Sequence, residues 1–280
     1  MRHVKPLGRA LAVALLALGL AACTSSPKPP PEPRLRAQAQ EQENNGARRY
    51  AQGDYSAAAR HFGEAVRLRT SLDELPAAAR NRLQQAQAEL ALGQPQQALA
   101  HATQVTEDAL QVQALLLQVQ AELALGRTEA VQVVLMRLSS RCASRCAEHG
   151  RVLLLSARVA WAQGQAGDTV AQAEAALPLL REQAEEREVA NAWRLIAAAR
   201  LAQADAARAL PAAQAALELD RRLALPEKIA RDWLLIGDIH RRSGGAEARA
   251  AYQRAQAVAQ AAGLRELARL AEQSLQESVR

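Results

Sequence analysis

The sequence predicts an all-α fold, an α-solenoid of about six stacked helical hairpins closed by a C-terminal capping helix. Ala supplies 66 and Leu 41 of the 280 residues, and both residue types favour helices. Val, Ile, Thr and aromatic residues, which favour strands, are scarce, so an all-β fold is excluded. Six similar turns recur along the chain at spacings of 33 to 40 residues, and regular spacing of this kind is typical of repeated helical hairpins.

The chain begins with a segment typical of a secretory signal peptide. A basic start is followed by an apolar run at residues 10–22, which is shorter than the roughly 20 residues that span a bilayer. The run ends in Leu20-Ala21-Ala22-Cys23, which resembles the lipobox of bacterial lipoproteins. This resemblance implies that residues 1–22 are removed and that Cys23 carries the lipid anchor. A plain signal peptide or an uncleaved anchor is the alternative. Thr24 rather than Asp follows the cysteine, which favours the periplasmic face of the outer membrane.

Residues 23–36 are predicted to form a tether between the lipid and a folded domain at residues 37–280. Five of the eleven prolines lie in it, at Pro27, Pro29, Pro30, Pro31 and Pro33. Such a segment favours an extended polyproline II conformation and acts as a semi-rigid spacer. Recognition of a Pro-x-x-Pro motif by a partner is the alternative. No run of basic residues predicts a phosphate-binding surface, so nucleic acid is not an expected partner.

The folded domain is predicted from its turns and from the small residues around them. The heptapeptide Gln-Ala-Glu-Leu-Ala-Leu-Gly occurs at residues 87–93 and again at residues 120–126. The six equivalent turn positions are Gly53, Gly93, Gly126, Gly164, Ala204 and Gly244. Small residues expected to let paired helices approach are Gly46, Ala58, Ala86, Ala98, Ala197, Ala209 and Gly237. Over residues 38–263 this pattern resembles the tetratricopeptide repeat (TPR), in which stacked hairpins complete one another's core. The apolar stripe Leu264, Leu267, Leu270 and Leu275 predicts the capping helix.

The resemblance implies a function as well as a fold. In this repeat family the first helix of each hairpin lines a concave groove for protein or peptide partners. Counting back from each turn places Glu43 and Arg194 in this groove, among other residues. The candidates for partner binding are Gln87, Gln120, Arg158, Trp161 and Asp238. The Lys and Asn residues of the family's carboxylate clamp are absent, so that mode of binding is not expected.

The sequence therefore predicts a non-enzymatic, lipid-anchored periplasmic adaptor or scaffold for proteins of the cell envelope, without a cofactor. Its partners would be a protein or peptide of the envelope and the membrane itself. Sequence motifs of a Ser hydrolase, a zinc protease or a phosphate-binding loop do not occur. Adjacent carboxylates such as Glu185 and Glu186 are interpreted as a solvated helix face.

The two remaining cysteines leave one alternative function open. Cys142 and Cys146 are separated by one helical turn, and an exported protein meets an oxidising environment, so a disulfide is predicted. His149 follows three residues later, and two thiolates with an imidazole suit copper or zinc. A metal or small-ligand carrier that uses Cys142, Cys146 and His149 is the alternative to the adaptor.

Overall fold

The computed structural model describes residues 33–142 and 146–278. The predicted signal peptide, Cys23 and nearly all of the tether lie outside the described residues. Those residues form thirteen α-helices, a short 3₁₀ turn at Asp108–Leu110 and no strand. The helices are α1 (Arg34–Ala51), α2 (Tyr55–Ser71), α3 (Leu75–Ala91), α4 (Pro95–Thr103), α5 (Gln111–Ala124), α6 (Thr128–Arg141), α7 (His149–Ala162), α8 (Ala166–Glu182), α9 (Glu186–Ala202), α10 (Ala206–Arg222), α11 (Pro226–Arg242), α12 (Ala248–Ala261) and α13 (Arg265–Glu277).

These helices form six hairpins, here called units 1 to 6, from α1–α2 to α11–α12. The first helices of consecutive units also touch from α3 onwards, so they line one face of the solenoid. Helix α13 packs on α12 and α11 and buries Leu267 and Ala271. The predicted fold class, with six hairpins and a capping helix, is confirmed. Helix α1 begins at Arg34, three residues before the expected boundary, because good helix formers follow directly after Pro33.

The six predicted turn residues all adopt the left-handed backbone conformation. Five are glycines with φ between 70° and 78°, and the sixth is Ala204 with φ of 60°. After α3, the amide of Gln94 donates to the carbonyl of Glu89 at 2.8 Å, and the amide of Gly93 donates to that of Leu90 at 3.1 Å. This Schellman motif satisfies carbonyls that the helix end leaves free. Connections between units use the same conformation at Asp73, Ala184, Ala224 and Gly263, which the sequence did not indicate.

The core depends on small residues wherever two helices of a unit meet. Ala58, Ala98 and Ala209 are completely buried on the second helices. A Cβ atom at Gly46 would lie 2.7 Å from the ring of Phe62, and one at Gly237 would lie closer still to the ring of Tyr252. The predicted packing role of these small residues is therefore confirmed, because the space that a side chain would need is occupied by a neighbour.

None of the described helices is both long enough and apolar enough to cross a lipid bilayer.

Candidate functional site

The first helices and the connection between units 4 and 5 enclose a cavity with a volume of 1150 Å³. One side of it, here called the neutral wall, comes from the ends of α1, α3 and α5. The neutral wall consists of Tyr50, Gln87, Leu90, Ala91 and Gln120. Burial raises the pKa of the Tyr50 phenol, so this wall carries no charge at neutral pH. Two of the five predicted partner-binding residues, Gln87 and Gln120, lie here.

The opposite side, here called the charged wall, comes from the end of α8, the start of α9 and the second half of α10. Its polar and aromatic members are Arg181, Glu185, Glu186, Arg187, Glu188, Trp193, Glu218 and Arg222. Arg187 and Glu188 line the same cavity as Tyr50, and their charges act in opposite directions on the pKa of Tyr50. The guanidinium carbon of Arg181 lies 5.6 Å from the ring centre of Trp193, within cation–π range.

Two ion pairs involve the charged wall, one within it and one to Arg151, which also lines the cavity. Arg222 Nη2 lies 2.8 Å from Glu186 Oε1 within the wall. Arg151 on α7 donates from Nε to Glu185 Oε2, also at 2.8 Å. The acidic start of α9 also suits the positive end of the helix dipole. The charged wall is thus a patterned surface that presents both signs of charge to the cavity.

The interpretation of Glu185 and Glu186 as a solvated face holds for Glu186, whose side chain is 50% exposed, but not for Glu185. The Glu185 side chain is only 16% exposed, and both carboxylates line the cavity. Sequence reasoning missed this wall because it comes from a connection between units, which the curvature of the solenoid brings across to Tyr50. The one available signal was the concentration of charged residues at 185–188 just ahead of Trp193.

The other predicted partner-binding residues fall in two further places. Arg158 lines a cavity of 190 Å³ that also includes Gln87 and Gln120 and adjoins the main one. Trp161 and Asp238 lie together in a separate cavity of 330 Å³ between units 4, 5 and 6. The structure therefore brings two of the five candidates, Gln87 and Gln120, to the central cavity, places Arg158 in the adjoining one, and places Trp161 and Asp238 further along the concave face.

Asp238 is held in place by its own unit. The Tyr252 hydroxyl donates to Asp238 Oδ1 at 2.8 Å, and Arg241 Nε donates to the Tyr252 oxygen at 3.2 Å. Burial and the bond to Asp238 raise the pKa of Tyr252 to about 12, although Arg241 opposes this. Since Asp238 already accepts a hydrogen bond from this hydroxyl, part of its hydrogen-bonding capacity is used within unit 6.

The expectation that Glu43 and Arg194 face the groove is corrected by the structure. Glu43 accepts hydrogen bonds from Arg69 Nε at 2.9 Å and from Asn81 Nδ2 at 2.6 Å. Arg194 pairs with Asp220 and donates from Nε to Asp232 Oδ1 at 2.6 Å. Both residues are engaged in ionic clusters that join one unit to the next, because buried charges require partners.

Cys142 and Cys146 are joined as a disulfide between α6 and α7, with Cα atoms 5.3 Å apart. Nδ1 of His149, at the start of α7, is buried and has no hydrogen-bond partner among the described residues. In those residues no group of three or more His, Cys, Asp or Glu side chains is arranged to hold a metal ion. A metal site at Cys142, Cys146 and His149 would need reduced thiols, and it stays a prediction for the reduced protein.

Solved structures with similar folds place this arrangement among helical-repeat proteins. A chain of the APC/C hetero-tetramer Cut9–Hcn1 matches with a TM-score of 0.72 and 15% identity, over 88% of this chain and 44% of that one. The Rap conjugation gene regulator of plasmid pLS20, in complex with the Phr* peptide, matches with a TM-score of 0.65 and 13% identity, over 100% of this chain and 85% of that one. The apo form of RapI matches with a TM-score of 0.62 and 12% identity, over 86% and 70%.

No family model and no curated protein sequence is significantly similar to this chain. The likeness to known proteins is therefore one of fold: the chain is a TPR-like α-solenoid.

Proposed function

We propose that the protein is a non-enzymatic adaptor that binds a segment of a protein or peptide partner in the central cavity. The observation that carries this proposal is the cavity itself. Its 1150 Å³ exceed the roughly 300–1,000 Å³ of ordinary small-molecule pockets. Gln87 and Gln120 offer amide donors and acceptors, which are the groups that a polypeptide backbone pairs with. The Rap regulator whose structure contains the Phr* peptide has a similar fold, which supports the proposal.

The chemistry of the lining favours binding over catalysis. Among the described residues, the side chains that line the cavity include no Ser, Cys or His. Covalent catalysis usually needs such a nucleophile next to a base. Of the four carboxylates in the lining, Glu185 and Glu186 are each paired with an arginine.

The adaptor is tested by photo-crosslinking from two positions in intact cells. A benzoyl-phenylalanine at Leu90 lies in the neutral wall of the cavity, whereas one at Val133 lies on a 54% exposed site of α6. We expect a discrete protein adduct from Leu90, identified by mass spectrometry, that is absent from Val133. The same adducts from both positions, or none from Leu90, contradict the proposal.

Charge substitutions test whether Gln87 and Gln120 contribute to binding of the partner. Gln87→Glu together with Gln120→Glu adds two carboxylates to the uncharged wall and should weaken the Leu90 adduct without unfolding the chain. The matched control is Gln97→Glu with Gln132→Glu, on exposed sites of α4 and α6. An equal loss of adduct in both pairs would mean that the cavity is not the binding site.

We further propose that the adaptor is held by a lipid on Cys23 at the periplasmic face of the outer membrane, where it serves cell-envelope assembly or maintenance. The support is the sequence Leu20-Ala21-Ala22-Cys23 with its basic, apolar lead. Several acyl chains give stable anchoring. Cells grown with an alkyne-tagged fatty acid should label the wild type and not Cys23→Ser, and the variant should leave the outer-membrane fraction. Labelling of Cys23→Ser would disprove the anchor.

A further inference from the structure

The two walls of the central cavity differ so much in chemistry that they restrict what can lie between them. The five residues of the neutral wall carry no charge, and Leu90 and Ala91 make part of it apolar. The charged wall presents three arginines and four glutamates. A segment between them therefore meets an uncharged surface on one side and a charged surface on the other.

Some charged side chains of the charged wall form ion pairs within the protein, and others remain available to a ligand. Glu186 and Arg222 pair with each other, and Glu185 pairs with Arg151. Within the described part of the chain, Arg187 and Glu218 make no ion pair or side-chain hydrogen bond. Arg187 and Glu218 are thus free to pair with charges of opposite sign on a partner, whereas Arg181 lies over the Trp193 ring.

The neutral wall distinguishes an extended segment from a helical one. An α-helix satisfies its own backbone amides and carbonyls apart from its ends. An extended segment leaves its backbone groups unpaired, and these require partners when they leave water. Gln87 and Gln120 lie at equivalent positions of α3 and α5 and offer such partners at two points along the wall. This arrangement favours an extended occupant.

Successive side chains of an extended segment point to opposite sides. We propose that the occupant of the cavity is an extended peptide segment in which apolar and charged side chains alternate, with the apolar ones against Leu90 and Tyr50 and the charged ones against Arg187 and Glu218. This specificity rests on the proposed function, since it names the kind of partner that the same cavity takes. The charged positions would include an acidic residue for Arg187 and a basic residue for Glu218.

Three fluorescent octapeptides of identical composition test the pattern by anisotropy against the full chain. One alternates apolar and charged residues, one groups them in two blocks, and one spaces the apolar residues as on a helix face. We expect the alternating peptide to bind at least about tenfold more tightly than either of the others. Equal or tighter binding of the blocked or helix-patterned peptide, or no binding of the alternating one, overturns the proposal.

A charge exchange tests the orientation. Arg187→Glu should weaken binding of the alternating peptide about tenfold, and a peptide whose acidic residues are replaced by arginine should recover it. Arg249→Glu, on an exposed site of α12 without an ion pair in the described residues, is the matched control. If the arginine-substituted peptide binds the wild type as tightly as it binds Arg187→Glu, the pairing of Arg187 with an acidic residue of the partner is contradicted. If the Leu90 crosslink persists while the alternation rule fails, the adaptor stands and only its specificity is wrong.

Discussion

The junction between units 1 and 2 and the junction between units 5 and 6 carry polar clusters at the same three positions, with opposite charges at the first two. The N-terminal cluster is Glu43, Arg69 and Asn81, and the C-terminal cluster is Arg194, Asp220 and Asp232. In both, the first residue lies 26 positions before the second and 38 before the third. At the junction between units 4 and 5 the same positions hold Leu154, Leu180 and Ala192, which are buried in the apolar core.

Burial makes the two charged clusters behave differently. In the N-terminal cluster, burial raises the pKa of Glu43, but hydrogen bonds from Arg69 and Asn81 outweigh this and leave the pKa below its ordinary value. Asp232 is completely buried, so desolvation, helped by the neighbouring Asp220 and opposed by Arg194, raises its pKa to about 7. One geometry therefore stabilises a carboxylate at one end of the solenoid and penalises it at the other, because only the first stays partly hydrated.

The largest expected difference comes from removing the central arginine of each cluster. Arg194→Leu leaves two buried carboxylates without a cation and should lower the free energy of unfolding by about 3–5 kcal/mol. Arg69→Leu leaves the Glu43 and Glu74 side chains, which are 20% and 22% exposed, and should cost about 1–3 kcal/mol. Urea denaturation followed by circular dichroism measures both.

The control for Arg194→Leu copies the junction between units 4 and 5. The triple variant Arg194→Leu, Asp220→Leu, Asp232→Ala has the residue types found at positions 154, 180 and 192, and it should recover most of the lost stability. An Arg69→Leu cost as large as that of Arg194→Leu would remove the distinction between the clusters.

The pH dependence of stability should have opposite signs in the two clusters. Between its ordinary pKa of 3.8 and about 7 in the folded state, Asp232 keeps a proton when folded and loses it when unfolded. Its contribution to stability therefore falls as pH rises through this range, by at most about 1.4 kcal/mol per pH unit. The contribution of Glu43 is present above its ordinary pKa of 4.5 and is lost as pH falls through the lowered folded value.

Denaturation midpoints from pH 3 to pH 9, compared among wild type and two variants, test these signs. Asp232→Asn should reduce the fall in stability between about pH 4 and pH 7. Glu43→Gln should reduce only the loss of stability at acid pH. A decline that survives in Asp232→Asn would assign it to another group.

Gly46 and Gly237, which make the two tightest glycine contacts, also lie at opposite ends of the solenoid and can be compared. Gly237→Ala pushes a methyl group into the ring of Tyr252, whose hydroxyl is held by Asp238 and Arg241. We expect a cost of about 1–3 kcal/mol from overpacking. Gly46→Ala meets Phe62, which has no polar anchor, so the cost should be smaller. Thermal unfolding measures both costs. When Tyr252→Phe removes the anchored hydroxyl, the cost of Gly237→Ala should come closer to that of Gly46→Ala. Equal costs at both glycines would rule out the anchoring effect.

The smallest expected effect concerns the turns of units 1 and 5. Ala204 has φ of 60° where unit 1 has Gly53 with φ of 78°. Ala204→Gly should stabilise the protein by about 0.5–1 kcal/mol, because relief of the left-handed strain outweighs the greater freedom of unfolded glycine. Gly53→Ala should destabilise it by a similar amount. Destabilisation by Ala204→Gly, measured by urea denaturation, would show that its turn is not strained.

The candidate site was only partly predictable from local sequence. Gln87 and Gln120 were found because each occupies the same place before its turn, and the structure brings both to the cavity. Arg194 and Glu43 satisfied the same count, yet they are engaged in clusters whose partners lie 26 and 38 residues away. Counting along one helix cannot reveal a partner on the next two, so it cannot separate a groove residue from a buried ion pair.

The sequence by itself determined the fold, because each element depends on neighbours in the chain: the left-handed turn residues, the small residues that let paired helices meet, and the apolar stripe of α13. Only the tertiary structure decided which residues face each other across the solenoid. Its curvature adds up over several units until Tyr50 lines the same cavity as Arg187 and Glu188. Burial, which is the main cause of the raised pKa of Asp232, exists only after the units have packed.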